Sequence, residues 1–200
     1  MRYGSLRLGL IFGLVFTLAP LSAANVSRQQ ADVFTRKLGE IAKPNPPAIK
    51  AGMRRTPVTE GELNSWFAYQ AAPLLPKGVS QPEVTIIGNG KVAGKAVVDL
   101  EAVGKKRGSG SMLDPWSYLG GRVPVNVVGI LHTKDGVGKF ELESADVSGL
   151  PLPAGLLQEL ISYYSRSEAK PEGVRLDRQF TLPANIQQIE VGQGRAVVVQ

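Results

Sequence analysis

The dipeptide Asn89-Gly90 constrains this chain more than any other feature. Both residues tolerate positive φ, so an Asn-Gly pair between two alternating runs dictates a two-residue β-hairpin. Val84-Thr85-Ile86-Ile87 precedes it. After it, Val92, Gly94, Ala96, Val98 and Leu100 alternate with Lys91, Lys95 and Asp99. From residue 83 onward the apolar period is therefore 2, whereas upstream it is helical. Val123, Val125, Val127, Gly129 and Leu131 alternate with Arg122, Asn126 and His132 in a third strand. Lys134-Asp135-Gly136 turns it into a fourth, Lys139–Val147, in which Phe140 and Leu142 alternate with Glu141 and Glu143. The chain closes with strands near Arg175–Leu182, Ile186–Val191 and Arg195–Val199, the last two joined by Gly192–Gly194. Sequential hairpins require an antiparallel sheet, because parallel neighbours need a crossover helix between them.

Three helices are expected to cover one face of that sheet. Asn25–Ala42 opens at Ser27 and places Phe34, Leu38 and Ile41 on one stripe. Thr59-Glu60-Gly61-Glu62 is a capping box, and Leu63, Trp66, Phe67, Gln70 and Ala71 fall on one side of the helix behind it. Pro151 and Pro153 open a third helix with Leu156, Leu157, Leu160, Ile161 and Tyr164 on one stripe. Lys43–Pro57 holds four prolines and reads as an extended linker, and Lys105–Pro115 reads as a polar Gly/Ser-rich loop. The expected fold class is α+β.

The N-terminus reads as an address. Arg2 and Arg7 precede the unbroken apolar run Leu8–Ala19, and Pro20, Ser22, Ala23 and Ala24 follow. This is the pattern of a secretory signal spanning residues 1–24, with cleavage after Ala24. The run has 12 residues, against about 20 for a bilayer span. Retention as an uncleaved anchor is the alternative. Without cysteine no thioether lipid can be attached. The expected location is the periplasm or the exterior of a bacterium. Residues 25–57 form an N-terminal helix and Pro-rich linker, and residues 58–200 a single α+β domain.

Composition narrows the chemistry. The 200 residues include no cysteine and one histidine, His132. Disulfide frameworks, thiolate metal sites and cysteine nucleophiles are excluded, as is a Ser-His-Asp triad unless His132 is its base. His132 with Asp135 nearby is a poor metal site, and the better reading is an exposed histidine at a hairpin end. Glu141 and Glu143 share one face of a strand, but Phe140 and Leu142 between them make that a solvated outer face. Gly88-Asn89-Gly90-Lys91-Val92-Ala93-Gly94 mimics a dinucleotide loop but continues as a strand, with no helix start to hold phosphate. No cofactor or metal is called for.

Net charge is +6, and it is uneven: Asn25–Gly121 holds 13 Lys/Arg against 8 Asp/Glu, and Arg122–Gln200 holds 8 against 9. Without aromatic-basic interleaving, nucleic acid is not an expected partner. Arg54-Arg55 and Lys105-Lys106-Arg107 suit either solvent or transient contact with an anionic membrane surface. The apolar stripes on helices and strands fit a core, or a dry groove that takes an acyl chain.

Two stretches carry a resemblance. Thr59-Glu60-Gly61-Glu62-Leu63-Asn64 with its helix is similar to the opening of small bacterial envelope proteins with a tubular lipid-binding (TULIP, BPI-like) fold. Leu182-Pro183-Ala184-Asn185-Ile186-Gln187-Gln188-Ile189-Glu190-Val191, then Gly194-Arg195 and a Val-rich strand, resembles the last hairpin of that group. The likeness covers residues 58–200 in element order. It implies a curved antiparallel sheet of hairpins packed around helices, enclosing a groove for phospholipid or another acyl ligand, with no catalytic residues. The chain departs from the lipoprotein members in lacking an anchoring cysteine and in carrying the Pro-rich segment.

The expectation is thus an exported, non-enzymatic protein that binds a lipid or other hydrophobic small molecule. Leu63, Trp66, Phe67, Val98, Val127, Leu156, Leu160, Ile161 and Tyr164 would line its groove. The alternative is an envelope assembly or scaffold domain that recognises a protein partner through a sheet edge or the Pro-rich arm. An enzyme comes third, with His132 as its only base at neutral pH.

Overall fold

Two side-chain hydroxyls start the two helices that begin the fold. In the computed structural model, which describes residues 26–44, 50–99, 121–164, 166, 171–173, 175–176 and 178–200, Ser27 Oγ accepts from Gln30 N at 3.2 Å and opens α1, Arg28–Ala42. Thr59 opens α2, Glu60–Tyr69, with the complete capping box: Thr59 Oγ1 accepts from Glu62 N, and Glu62 Oε2 accepts from Thr59 N at 3.0 Å. Residues 1–24, expected to be a secretory signal, and the expected loop Lys105–Pro115 lie outside the described residues.

The two helices pack together. Phe34 meets Trp66 edge-on at 5.6 Å between ring centroids, while Ala31 is buried completely. Polar contacts fix the register along the seam. Ser27 N donates to the buried Ser65 Oγ at 3.1 Å, and Lys37 Nζ reaches both Glu62 carboxylate oxygens at 2.7 Å. These contacts hold α1 on the domain.

Part of the expected linker is not a linker. Arg55–Thr59 is strand β1, paired with a C-terminal strand, Arg195–Val199. The prolines of Lys43–Pro57 had suggested otherwise, yet Pro57 costs nothing here. Arg54 and Gln200 exchange both backbone bonds, so the alternating ladder leaves Pro57 at a position whose nitrogen faces away from the partner. A proline fits at such a position on an edge strand.

The expected single sheet is two. The larger runs β2 (Val79–Gly88), β3 (Lys91–Asp99), β4 (Arg122–Lys134), β5 (Val137–Val147) and β6 (Leu150–Pro151) in that order, all antiparallel, with β7 (Phe180–Thr181) also pairing β5. The smaller has β1 on one edge, β9 (Arg195–Val199) in the middle and β8 (Gln188–Gly192) on the other edge. Both expected turns form: Asn89 and Gly90 have φ 53° and 81°, Asp135 and Gly136 50° and 78°. The β8–β9 hairpin is thus kept off the large sheet's edge. It lies across the turn end instead, where Gly194 N donates to Ile86 O at 2.8 Å and Gly136 N to Gln187 O at 3.0 Å. Thr133 Oγ1 binds both main-chain groups of Ile189, at 2.8 and 3.0 Å. Of the strand expected at Arg175–Leu182, Phe180–Thr181 is extended and paired.

The third helix, α3 (Ala154–Tyr164), begins where Leu156 N and Leu157 N donate to Pro153 O, and it packs on β5 with Leu157 buried. Ile41, Leu182, Ile186 and Val198 form a core cluster between α1 and the small sheet.

The outer edge of β2 is closed by side chains. Asn64 on α2 donates to Val84 O and accepts from Val84 N, both at 2.8 Å, so its amide replaces one peptide of a missing strand. Glu60 Oε2 accepts from Ile86 N at 2.7 Å. Edges left open template aggregation, and this one is satisfied from within. Asn64→Leu is expected to lower stability by about 2 kcal/mol, because two half-buried backbone groups lose their partner. A change within about 0.5 kcal/mol by urea denaturation would show that water replaces the amide at no cost.

Candidate functional site

Between α2 and β2 lies an apolar groove of about 930 Å³, within the range of small-molecule sites. The last turn of α2 supplies Phe67 and Ala68, the connection to β2 supplies Ala72 and Leu75, and β2 supplies Val79 and Pro82. The local sequence dictates this shape. Pro73 ends the helix in a single 3₁₀ turn, Ala72–Leu74. A bulge at Gln81, φ 50°, then breaks the register of β2 with β3 along the groove wall.

Three polar side chains of the groove wall are committed, while Gln81, Glu83 and Thr85 also line it. Asn64 and Glu60 are bound to the β2 backbone as described. Ser80 Oγ donates to Val97 O at 3.3 Å and accepts from Arg122 Nη2 at 2.9 Å. The larger share of the exposed lining is nonetheless apolar.

Cross-strand partners share a face, so the register sorts the sheet residues. Val98 is opposite the lining residue Val79 and shares its face, but does not itself line the groove. Val127, opposite Gly94, lies farther along that same face, which also carries Val84, Ile86, Val92, Val123, Ala145 and Val147. The reverse face holds Lys91 paired with Glu143, His132 Nε2 at 3.2 Å from Glu141, and Asn126 donating to Asp146. His132, Glu141 and Glu143 are thus side chains of a solvated face.

The nine residues expected to line one groove are distributed. Phe67 lines it, and Val98 shares a sheet face with the lining residue Val79. Leu63 is half-buried on α2, and Trp66 is spent on Phe34 and Phe67. Leu156 and Ile161 are half-buried on α3, which packs on β5. Three interstrand steps separate β5 from β2, roughly 14 Å. The side chains of Leu160 and Tyr164 lie outside the described residues. Sequence reasoning missed Ala68, Ala72, Leu75, Val79 and Pro82. Their signal was the apolar Ala71-Ala72-Pro73-Leu74-Leu75 between a helix end and a strand, too short to show periodicity.

Two described titratable groups are displaced from their ordinary values, both at the surface. A hydrogen bond from Lys43 holds the Glu40 carboxyl below its usual range, and Glu190 raises the Arg55 guanidinium. Neither lines the groove. Among the described residues no three metal-ligating side chains gather, and no helix is long and apolar enough to cross a membrane. Comparison with protein-family models, with curated proteins and with solved structures found no match.

Proposed function

We propose that this is an exported, non-enzymatic protein that binds the acyl chain of a lipid or a similar hydrophobic molecule in the groove between α2 and β2. The observation that carries the reading is the groove's lining: seven apolar side chains line it, and of the polar ones Asn64, Glu60 and Ser80 are held by the sheet backbone and Arg122. Burial contributes about 0.8 kcal/mol per methylene, so a long acyl chain needs no charged contact for useful affinity. The likeness to tubular lipid-binding envelope proteins points the same way, as does the antiparallel sheet with one Val-rich face and three register shifts of the kind that favours curvature. Export rests on the N-terminal pattern of Arg2, Arg7, Leu8–Ala19 and Ala24.

Uptake of a fluorescent fatty acid, followed by its emission, tests this directly. Wild-type protein is expected to bind. Phe67→Glu is expected to bind about a hundredfold more weakly, roughly 3 kcal/mol, because the acyl chain would desolvate a carboxylate. Phe67→Leu should retain most of the affinity. Equal binding by wild type and Phe67→Glu would remove the groove as the site.

A further inference from the structure

The outer side of β5 is covered at both ends and open between them. β6 and β7 lie along it in one line, with Leu150 opposite Val147 and Pro151 opposite Asp146, then Phe180 opposite Gly138 and Thr181 opposite Val137. Among the described residues no strand lies beside the stretch between, Lys139–Ser144. The two-residue turn Asp135-Gly136 makes its flanks Lys134 and Val137 a hydrogen-bonded pair, so every second residue of β5 turns its peptide groups outward. Gly138, Phe140 and Leu142 belong to that set, and the bulge at Glu143 shifts it to Ala145. Gly138 pairs with Phe180, and Ala145 O accepts from Leu152 N at 2.9 Å. No described group bonds the outward N–H or C=O of Phe140 or Leu142. The edges of β2 and β8, by contrast, are met by side chains, Asn64 and Glu60 on one and Thr133 on the other.

These open groups select the occupant. Another main chain presents N–H and C=O at the two-residue spacing that Phe140 and Leu142 require, whereas an acyl chain would desolvate all four groups and pair with none. The two faces then set the occupant's pattern. Phe140 and Leu142 are opposite Leu131 and Gly129, so their side chains lie on the Val-rich face. On that face Leu150 is 61% exposed and Phe180 42% exposed, one at each end of the opening. Lys139, Glu141 and Glu143 lie on the solvated face. A matching segment therefore alternates apolar and polar residues. Lys139–Ser144 is six residues, and Glu143 as the bulge has no partner position of its own, so about five residues fit. β6 and β7 stand one interstrand spacing beyond β5, about 4.8 Å, and keep the edge of a second sheet out of so short an opening.

We propose that the opening on β5 between β6 and β7 binds an extended peptide segment of a protein partner, which adds a short strand through the main-chain groups of Phe140 and Leu142. The site is separate from the acyl-binding groove, which lies against β2 on the far side of the sheet order, and it stands or falls without it.

The test is nuclear magnetic resonance of the full chain, recovered in the form its bacterial host exports. The probe is an acetylated, amidated pentapeptide that alternates threonine and valine. In the free protein the Phe140 and Leu142 amides are expected to exchange with solvent rapidly, as unpaired edge groups do. The peptide should shift both resonances and slow their exchange about tenfold. The same peptide N-methylated at both valines keeps its side chains but loses the donors, and should bind about tenfold more weakly. Leu142→Pro removes one outward N–H and leaves the ladder to β4 whole, so it should weaken peptide binding to a similar extent in a folded protein. Should that variant fail to fold, the two peptides on the wild type decide the matter. Slow exchange of both amides in the free monomer would show the edge already covered and overturn the proposal. Equal binding of the two peptides, shifts confined to Phe67 and Leu75, or no shift at millimolar peptide would each overturn it too. A dimer that alone protects Phe140 and Leu142 would make a second copy the occupant, which also contradicts it.

Discussion

Gln200→Ala is expected to lower the unfolding free energy by about 3 kcal/mol, the largest single loss of any polar truncation described for this chain. The Gln200 side chain is fully buried. Its amide donates to Ile41 O at 2.8 Å and to Ala184 O, and its Oε1 accepts from Arg54 Nε at 3.0 Å. One amide thereby joins the end of α1, the start of β1 and the loop before β8. Alanine leaves two carbonyls and part of a guanidinium without that partner, each desolvated at a cost of about 1–3 kcal/mol. Arg54 still donates to Lys43 O at 2.9 Å, which moderates the loss. The main-chain bonds of Gln200 to Gly52 and Arg54 do not involve the side chain, so the substitution isolates the amide. Thermal unfolding should fall by roughly 10 °C. A shift below about 2 °C would mean that water fills the site, and that the small sheet does not depend on this residue.

A comparable loss, about 3 kcal/mol, is expected for Gly129→Ala, for a different reason. Gly129 lies opposite the bulge of β5 at Glu143 and its φ is not in the left-handed region, so the requirement is space alone. A Cβ there would stand 2.4 Å from Phe140 Cζ and 2.5 Å from the Glu141 carbonyl oxygen. The ring can turn, but the carbonyl belongs to the paired strand and cannot yield without breaking register. In a Phe140→Ala background the same substitution should cost less, since only the carbonyl contact remains. Additive losses in that double-mutant cycle would contradict the packing described here.

Much of the local structure was legible in the sequence, because local structure is decided by neighbours in the chain. Thr59 and Glu62 announce their own capping box, and Asn89-Gly90 and Asp135-Gly136 announce their turns. The antiparallel character of the sheets followed from those turns. What could not be read depends on distant pairs. β1 exists because β9, some 140 residues later, offers it a ladder, and Pro57 happens to fall on the outward side. Period-2 alternation identifies a strand but says nothing about which strand will lie beside it, so one sheet was expected where two form.

The candidate site was harder for the same reason. Trp66 and Phe67 are adjacent, and helical geometry turns adjacent side chains about 100° apart. Trp66 therefore went to α1 while Phe67 went to the groove. No pattern in the sequence marks Asn64 as a substitute strand, because its partner is the backbone of Val84 and not a side chain. Leu75 and Val79 line the groove through a non-periodic connection, where hydrophobicity carries no direction.

The most direct measurement is native mass spectrometry of the protein recovered from a bacterial periplasm, followed by solvent extraction. A mass excess that extracts as phospholipid or fatty acid, and that Phe67→Glu abolishes, is the predicted result. A folded protein at bare mass that takes up no added lipid would contradict the account and favour recognition of a protein partner.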